Sequence, residues 1–189
     1  MNKLLVIDTE TGGLDPKLFS ILSLGAVVWN DREILDSFEV FVTEPEIKAE
    51  REALEVNQIN LDWLKANGVP PAEAVSRFHL FLDKNFGAGA SREKINVVGH
   101  NVSFDVGFLK RLYSFTDYKY DEVFSHRVLD TAGIVRFLII VGKLPLESAG
   151  STAVFEHFQI NVETGKRHTA LADASATATL LTRLVDMVK

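Results

Sequence analysis

Apolar positions along this chain follow two rhythms. Leu4 to Ile7 is a short unbroken apolar run that meets an acidic turn, Asp8-Thr9-Glu10-Thr11-Gly12-Gly13, and it reads as a buried strand. Ile21 to Trp29 and Ile34 to Val42 are β-rich runs joined by Asn30-Asp31-Arg32-Glu33, the pattern of a hairpin. Three antiparallel strands are therefore expected near the start. A helical rhythm follows. Asn60 is placed to cap a helix over Leu61 to Ala66, with Gly68 ending it. Pro71 opens a helix to about Phe86, with Val75, Phe78, Phe81 and Leu82 on one face. Ile95 to Val98 predicts a second short strand and Ser103 to Tyr113 a helix. Val128 to Asp130 predicts a brief strand, followed by a helix through Ile140. Ser151 to Phe158 is a further short helix and Thr169 to Val188 a long one. No repeat, low-complexity tract or linker interrupts the pattern, and Gly87-Ala88-Gly89-Ala90-Ser91 reads as a loop. A hairpin sheet followed by alternating strands and helices implies an α/β or α+β domain with a mixed sheet, expected to be single over residues 1–189.

Composition narrows the class. The 189 residues are 47% hydrophobic and 24% charged, which excludes disorder, collagen-like repeats and coiled coil. There is no cysteine, so disulfides, thiolate metal sites and a cysteine nucleophile are excluded, and a reducing cytosol fits. The formal net charge of −6 argues against tight, salt-driven nucleic-acid binding. It is compatible with an enzyme whose acidic cleft holds cations that neutralise phosphates. The first apolar run is too short for a signal peptide, and Ile134 to Val141 contains Arg136 and stops at Gly142 and Lys143. A soluble, cytoplasmic protein with no membrane partner is expected.

Three acidic clusters change the picture. Asp8 and Glu10 end the first strand two residues apart, so they face the same way. Two such carboxylates repel unless a cation lies between them; a solvated turn is the alternative. Gly12-Gly13 permits a close backbone approach to a ligand. Asp105 lies in Gly99-His100-Asn101-Val102-Ser103-Phe104-Asp105, and Phe108, Leu109 and Leu112 share its helix face. An acid on an apolar face needs a partner: a metal, or a neighbouring backbone group. Asp173 precedes Thr177, Leu180, Leu181 and Leu184 at helical spacing and also leans inward. His168 stands at or just before that helix, either close enough to share a water with the site or simply exposed beside Arg167. Four carboxylates in one region would destabilise a fold without divalent cations, and hard oxygen donors suit Mg²⁺ or Mn²⁺. A pair of such ions is the arrangement used at phosphodiesters.

These three motifs, in this order, resemble the signature of the DEDDh 3′–5′ exonucleases. That family includes proofreading subunits of bacterial replicative polymerases, ribonuclease T and oligoribonuclease, and the resemblance runs from Leu4 to about Leu184. It implies a ribonuclease H-like α/β fold whose five-stranded mixed sheet has three antiparallel strands, then parallel ones, flanked by helices. It implies that Asp8, Glu10, Asp105 and Asp173 hold two Mg²⁺ or Mn²⁺ ions, one serving the attacking water and one the leaving 3′-oxygen. His168 would be the general base. Thr9, Thr11, Gly12 and Gly13 would line the last nucleotide, Leu14 would wedge against its base, and Phe104 would pack beside the site. The substrate would be the 3′ end of single-stranded DNA or RNA, and the product a nucleoside 5′-monophosphate. A homodimer and a polymerase partner are both arrangements found among such proteins, although the chain stops at Lys189 with no tail expected to tether a polymerase.

One position departs from the family pattern: Ser23 stands where many relatives carry a Glu, at a place that is not a metal ligand. Lys110, Arg111, Lys166 and Arg167 flank the motifs, as phosphate contacts or as plain surface charge. Two rival readings remain. Asp-x-Glu-Thr after a first strand is also similar to haloacid-dehalogenase-type phosphatases, but the hairpin that follows does not suit a doubly wound sheet. A non-catalytic accessory subunit would not need all four acids and the histidine.

Overall fold

The computed structural model describes residues 3–89, 93–161 and 169–187. Its first half builds strands β1 (Leu4–Thr11), β2 (Ile21–Asn30) and β3 (Glu33–Phe41), then helices α1 (Arg51–Asn57), α2 (Leu61–Asn67) and α3 (Pro71–Phe86). The second half alternates: β4 (Val97–Gly99), α4 (Val102–Ser114), α5 (Tyr120–Val123), β5 (Leu129–Asp130), α6 (Thr131–Ile140), α7 (Ser151–His157) and α8 (Ala170–Met187). The five strands form one sheet in the order β3-β2-β1-β4-β5. β1 and β3 run antiparallel to β2, while β4 pairs parallel with β1 and β5 parallel with β4. The expected mixed sheet is therefore present. Its antiparallel half also removes the phosphatase alternative, which needs a doubly wound parallel sheet.

Local chemistry explains the boundaries. The β2–β3 hairpin turns on Asp31 and Arg32, both at positive φ (45° and 76°), as a two-residue turn that matches strand twist requires. Asn60 caps α2 by accepting from the backbone N–H groups of Asp62 and Trp63, and Pro71 supplies the first turn of α3. β1 continues four residues past its apolar run. Asp8 to Thr11 stay in the ladder because each faces a β2 residue, Asp8 opposite Gly25 and Glu10 opposite Ser23. α1 and α5 have no counterpart in the sequence reading. They span seven and four residues, and neither carries a side-chain N-cap bond.

Alternation along the strands divides the core. Leu5, Ile7, Leu24 and Val40 pack with Phe78 of α3 and Phe108 and Leu109 of α4 on one face. Val6, Val27, Trp29 and Val98 pack with Ala178 and Leu181 of α8 on the other. Trp29 Nε1 donates to Thr182 Oγ1 at 2.9 Å, fixing α8 on that face. A further cluster joins α6, α7 and α8 through Val135, Phe155 and Leu180. Among the described residues no helix is long and apolar enough to cross a membrane.

Candidate active site

The two faces of β1 supply the site. Asp8 and Glu10 project toward α8, and Thr9 projects toward α4. α8 begins at Ala170, directly over β2. A Cβ at Gly25 would lie within 2.2–2.3 Å of the Ala170 and Leu171 backbone, so only glycine admits the helix there. This close packing brings Asp173, on the first turn of α8, onto the β1 acids. One carboxylate oxygen from each of Asp8, Glu10 and Asp173 lies within 4.8 Å of the others. Three of the four acids singled out from the sequence, far apart along the chain, thus come together.

Asp105 stands outside that trio. It is buried, and Thr9 Oγ1 donates to its Oδ1 at 2.8 Å. Thr9 thus supplies the hydrogen-bonded partner that this buried acid requires, and the Asp105 charge also bears on Glu10. Burial raises the Asp105 carboxyl to about 7, against the bonds from Thr9 that favour its ionised form. Glu10 is pushed up to about 8, first by burial and then by the charges of Asp173, Asp105 and Glu39. A group of hard oxygen donors this close, in which Glu10 resists ionising unless positive charge arrives, fits a divalent cation.

A pocket of about 360 Å³ opens beside the acids. Thr9, Glu10, Thr11, Gly13, Leu14 and Phe104 line it. α1 contributes Glu52, Ala53, Val56 and Asn57, which the sequence reading missed. The signal for them lay only in the short, uncapped segment Arg51–Asn57. Leu14 is 80% exposed at the rim, and Phe104 packs on Phe108 with ring centres 5.0 Å apart. The pocket wall is held by polar bonds: Asn57 Nδ2 donates to the Thr11 carbonyl at 3.0 Å, and Thr11 Oγ1 donates to the Gly13 carbonyl at 2.8 Å.

Two expectations need correcting. The close approach at Gly12 is to protein, because a Cβ there would meet the Lys48 carbonyl at 2.2 Å and the Gly12 amide already donates to the Ser20 carbonyl. Gly12 therefore shapes the loop from beneath, whereas Gly13 lines the pocket. Arg111 is neither plain surface charge nor open to a phosphate. Its Nε donates to Glu44 Oε1 at 2.8 Å and its Nη1 to the Pro16 carbonyl at 3.0 Å. Glu44 is buried and also accepts from Ser20 Oγ and the Ile21 amide. This brace ties the loop after β1 to α4. Lys110 lies exposed, 5.0 Å above the Tyr120 ring. His168, Lys166 and Arg167 fall outside the described residues. His100 of the second motif is bonded at both ring nitrogens, to Thr131 Oγ1 and the Ala149 carbonyl, and burial lowers its pKa.

Comparisons with known proteins identify the family and the fold. The exonuclease family model RNase_T matches residues 5–181. The DNA polymerase III PolC-type protein of Oceanobacillus iheyensis is 32% identical over 183 residues, covering 96% of this chain and 11% of that protein. The corresponding protein of Clostridium perfringens is 31% identical over 178 residues, covering 94% of this chain and 11% of that protein. The chain thus spans about a ninth of the length of these relatives. Among solved structures, the zinc-bound form of an E. coli ExoI–ssDNA complex superposes with a TM-score of 0.80 at 19% identity, covering 98% of this chain and 42% of that one. Exonuclease X in complex with 5′ overhanging duplex DNA gives 0.65 at 22% identity, covering 97% of this chain and 91% of that one. The fold is the ribonuclease H-like one of these exonucleases. Since the family model spans nearly the whole sequence, the chain belongs to the RNase T exonuclease family.

Proposed function

We propose that this chain is a 3′–5′ exonuclease that depends on divalent metal ions and releases nucleoside 5′-monophosphates from single-stranded DNA or RNA. Residues 1–189 act as one exonuclease domain in this reading. The observation that carries it is the meeting of Asp8, Glu10 and Asp173 within 4.8 Å at the edge of the 360 Å³ pocket. Glu10 belongs to both, so a phosphodiester next to the carboxylates leaves one nucleotide to fill the pocket. Leu14, Val56 and Phe104 offer apolar faces to a base of any identity, with no built hydrogen-bond pattern needed. Asn57 holds the Thr11 carbonyl, and the Arg111–Glu44 brace holds the loop that follows through Pro16 and Ser20.

Asp8, Glu10 and Asp173 would hold Mg²⁺ or Mn²⁺, with Asp105 adding charge through the Thr9 side. Two bound ions would supply neutralisation of the scissile phosphate and a more acidic attacking water. The resemblance assigns His168 the task of accepting that water's proton, which suits an imidazole near neutral pH. It also carries the two-ion arrangement and the 3′ direction. The test is digestion of 5′-labelled DNA and RNA oligonucleotides with Mn²⁺ or Mg²⁺. Stepwise loss of 3′ nucleotides is expected, abolished by EDTA, by a blocked 3′ end, and by Asp8→Ala or Asp173→Ala. Full digestion by either variant, or in chelator, overturns the reading. His168→Ala should lose most of the rate and keep metal binding.

The PolC-type relatives favour one elaboration, action beside a DNA polymerase at mismatched 3′ ends. Preferential removal of a mispaired terminal nucleotide, and co-purification with a polymerase, are its expected outcomes. A homodimer is the competing arrangement, and analytical ultracentrifugation separates the two.

A further inference from the structure

The first turn of α8 rests on one row of the sheet. Asp8 of β1, Gly25 of β2 and Glu39 of β3 are direct cross-strand neighbours and share the face toward α8. Gly25 provides the space: the helix backbone lies where its side chain would be. Glu39 provides a contact, because the Leu171 amide donates to Glu39 Oε1 at 3.2 Å, across 132 residues of sequence. The first four amides of a helix have no partner inside it, and an anion beside them is favoured by the helix dipole. Within the helix the Ala172 amide reaches Thr169 Oγ1 at only 3.4 Å, a long bond, so the carboxylate from β3 is the shorter side-chain anchor of the two. Asp173 is two residues beyond Leu171 on that same turn.

We propose that Glu39 is a positioning residue: by accepting from the Leu171 amide it fixes the turn that carries Asp173, and so sets how tightly the Asp8–Glu10–Asp173 trio takes divalent ions. The inference rests on the metal-site reading above. Groups that orient metal ligands act on affinity while leaving the ligand set intact. Glu39 lies at the exposed margin of β3, so replacing it leaves the buried core unchanged.

The test compares wild type, Glu39→Ala, Glu39→Gln and Asp173→Asn by thermal shift against Mn²⁺ concentration, with oligonucleotide KM measured at saturating Mn²⁺. Glu39→Ala should raise the Mn²⁺ midpoint by about tenfold, the lower end of what loss of a ligand-orienting group costs, and leave KM within about twofold. Glu39→Gln keeps an acceptor in the same place but removes the charge that also bears on Glu10, so it should displace the midpoint clearly less than Glu39→Ala does. A wild-type midpoint in Glu39→Ala, or equal displacement in both Glu39 variants, overturns the inference. Asp173→Asn separates the two levels. If its Mn²⁺ midpoint is unchanged, the metal site itself is wrong; if it binds weakly while Glu39→Ala binds normally, only the role of Glu39 fails.

Discussion

Glu10 does two things at one position: it faces Asp8 and Asp173, and it forms one side of the 360 Å³ pocket. Its carboxyl is raised from 4.5 to about 8. In the metal-free protein the folded state therefore holds this proton more tightly than the unfolded chain does. Stability from this group is fully present below pH 4.5 and is lost as pH rises to about 8. Asp105, raised from 3.8 to about 7, acts in the same direction. Melting in EDTA should show a Tm that falls across this window, and Mn²⁺ should restore more Tm at pH 8 than at pH 5. Glu10→Gln should raise the metal-free Tm at pH 8 by at least about 3 °C. At the rim, Leu14→Ala should leave Tm nearly unchanged, since the side chain is 80% exposed, and raise KM several-fold. Residue by residue, the acids were legible because their types and spacing announce a chemistry. Glu39 and Arg111 were not, because an isolated charge carries no sign of a partner 132 or 67 residues away.

At the scale of elements, packing contacts do what propensity cannot. α8 reaches the sheet only because β2 carries glycine at position 25, and Gly25→Ala drives a Cβ into the Ala170 backbone. The expected result is activity reduced at least about 100-fold with a smaller loss of stability, about 1–3 kcal/mol for overpacking. Circular dichroism melts beside nuclease assays check the pair. Arg111→Met removes the partner of a buried carboxylate and should cost about 3 kcal/mol or more, read from urea unfolding. Glu44→Gln in the same background should recover part of it. The sequence pattern predicted the long elements well: α3 begins at Pro71 and ends at Phe86 as expected, and β2 and β3 fall within a residue of their apolar runs. It failed for α1, which lacks a cap of the kind Asn60 gives the equally short α2 and whose apolar Val56 is turned toward the pocket instead of the core.

Over the whole molecule, the sheet sorts labour between its faces. One face buries the larger aromatic core against α3 and α4; the other carries α8 and, where β1 ends, Asp8, Glu10 and Asp173. The acidic balance of −6 matches a cleft that would recruit nucleic acid through bound cations. Oligonucleotide digestion should accordingly depend steeply on Mn²⁺ concentration and less on NaCl than for a basic groove. The mixed sheet was legible because hairpin and alternating segments leave different sequence rhythms. The pocket was not, since its walls come from β1, α1 and α4 and exist only after folding.

The distribution of the trio along the chain has a consequence during synthesis. Asp8 and Glu10 precede Asp173 by more than 160 residues, and Asp173 comes with α8, the same element that covers Val6, Val27 and Trp29. Until α8 emerges, a nascent chain has neither its third acid nor a cover for that apolar face. Any fragment or nascent chain that lacks α8 is therefore expected to lack both the divalent-ion affinity of the trio and a sealed core.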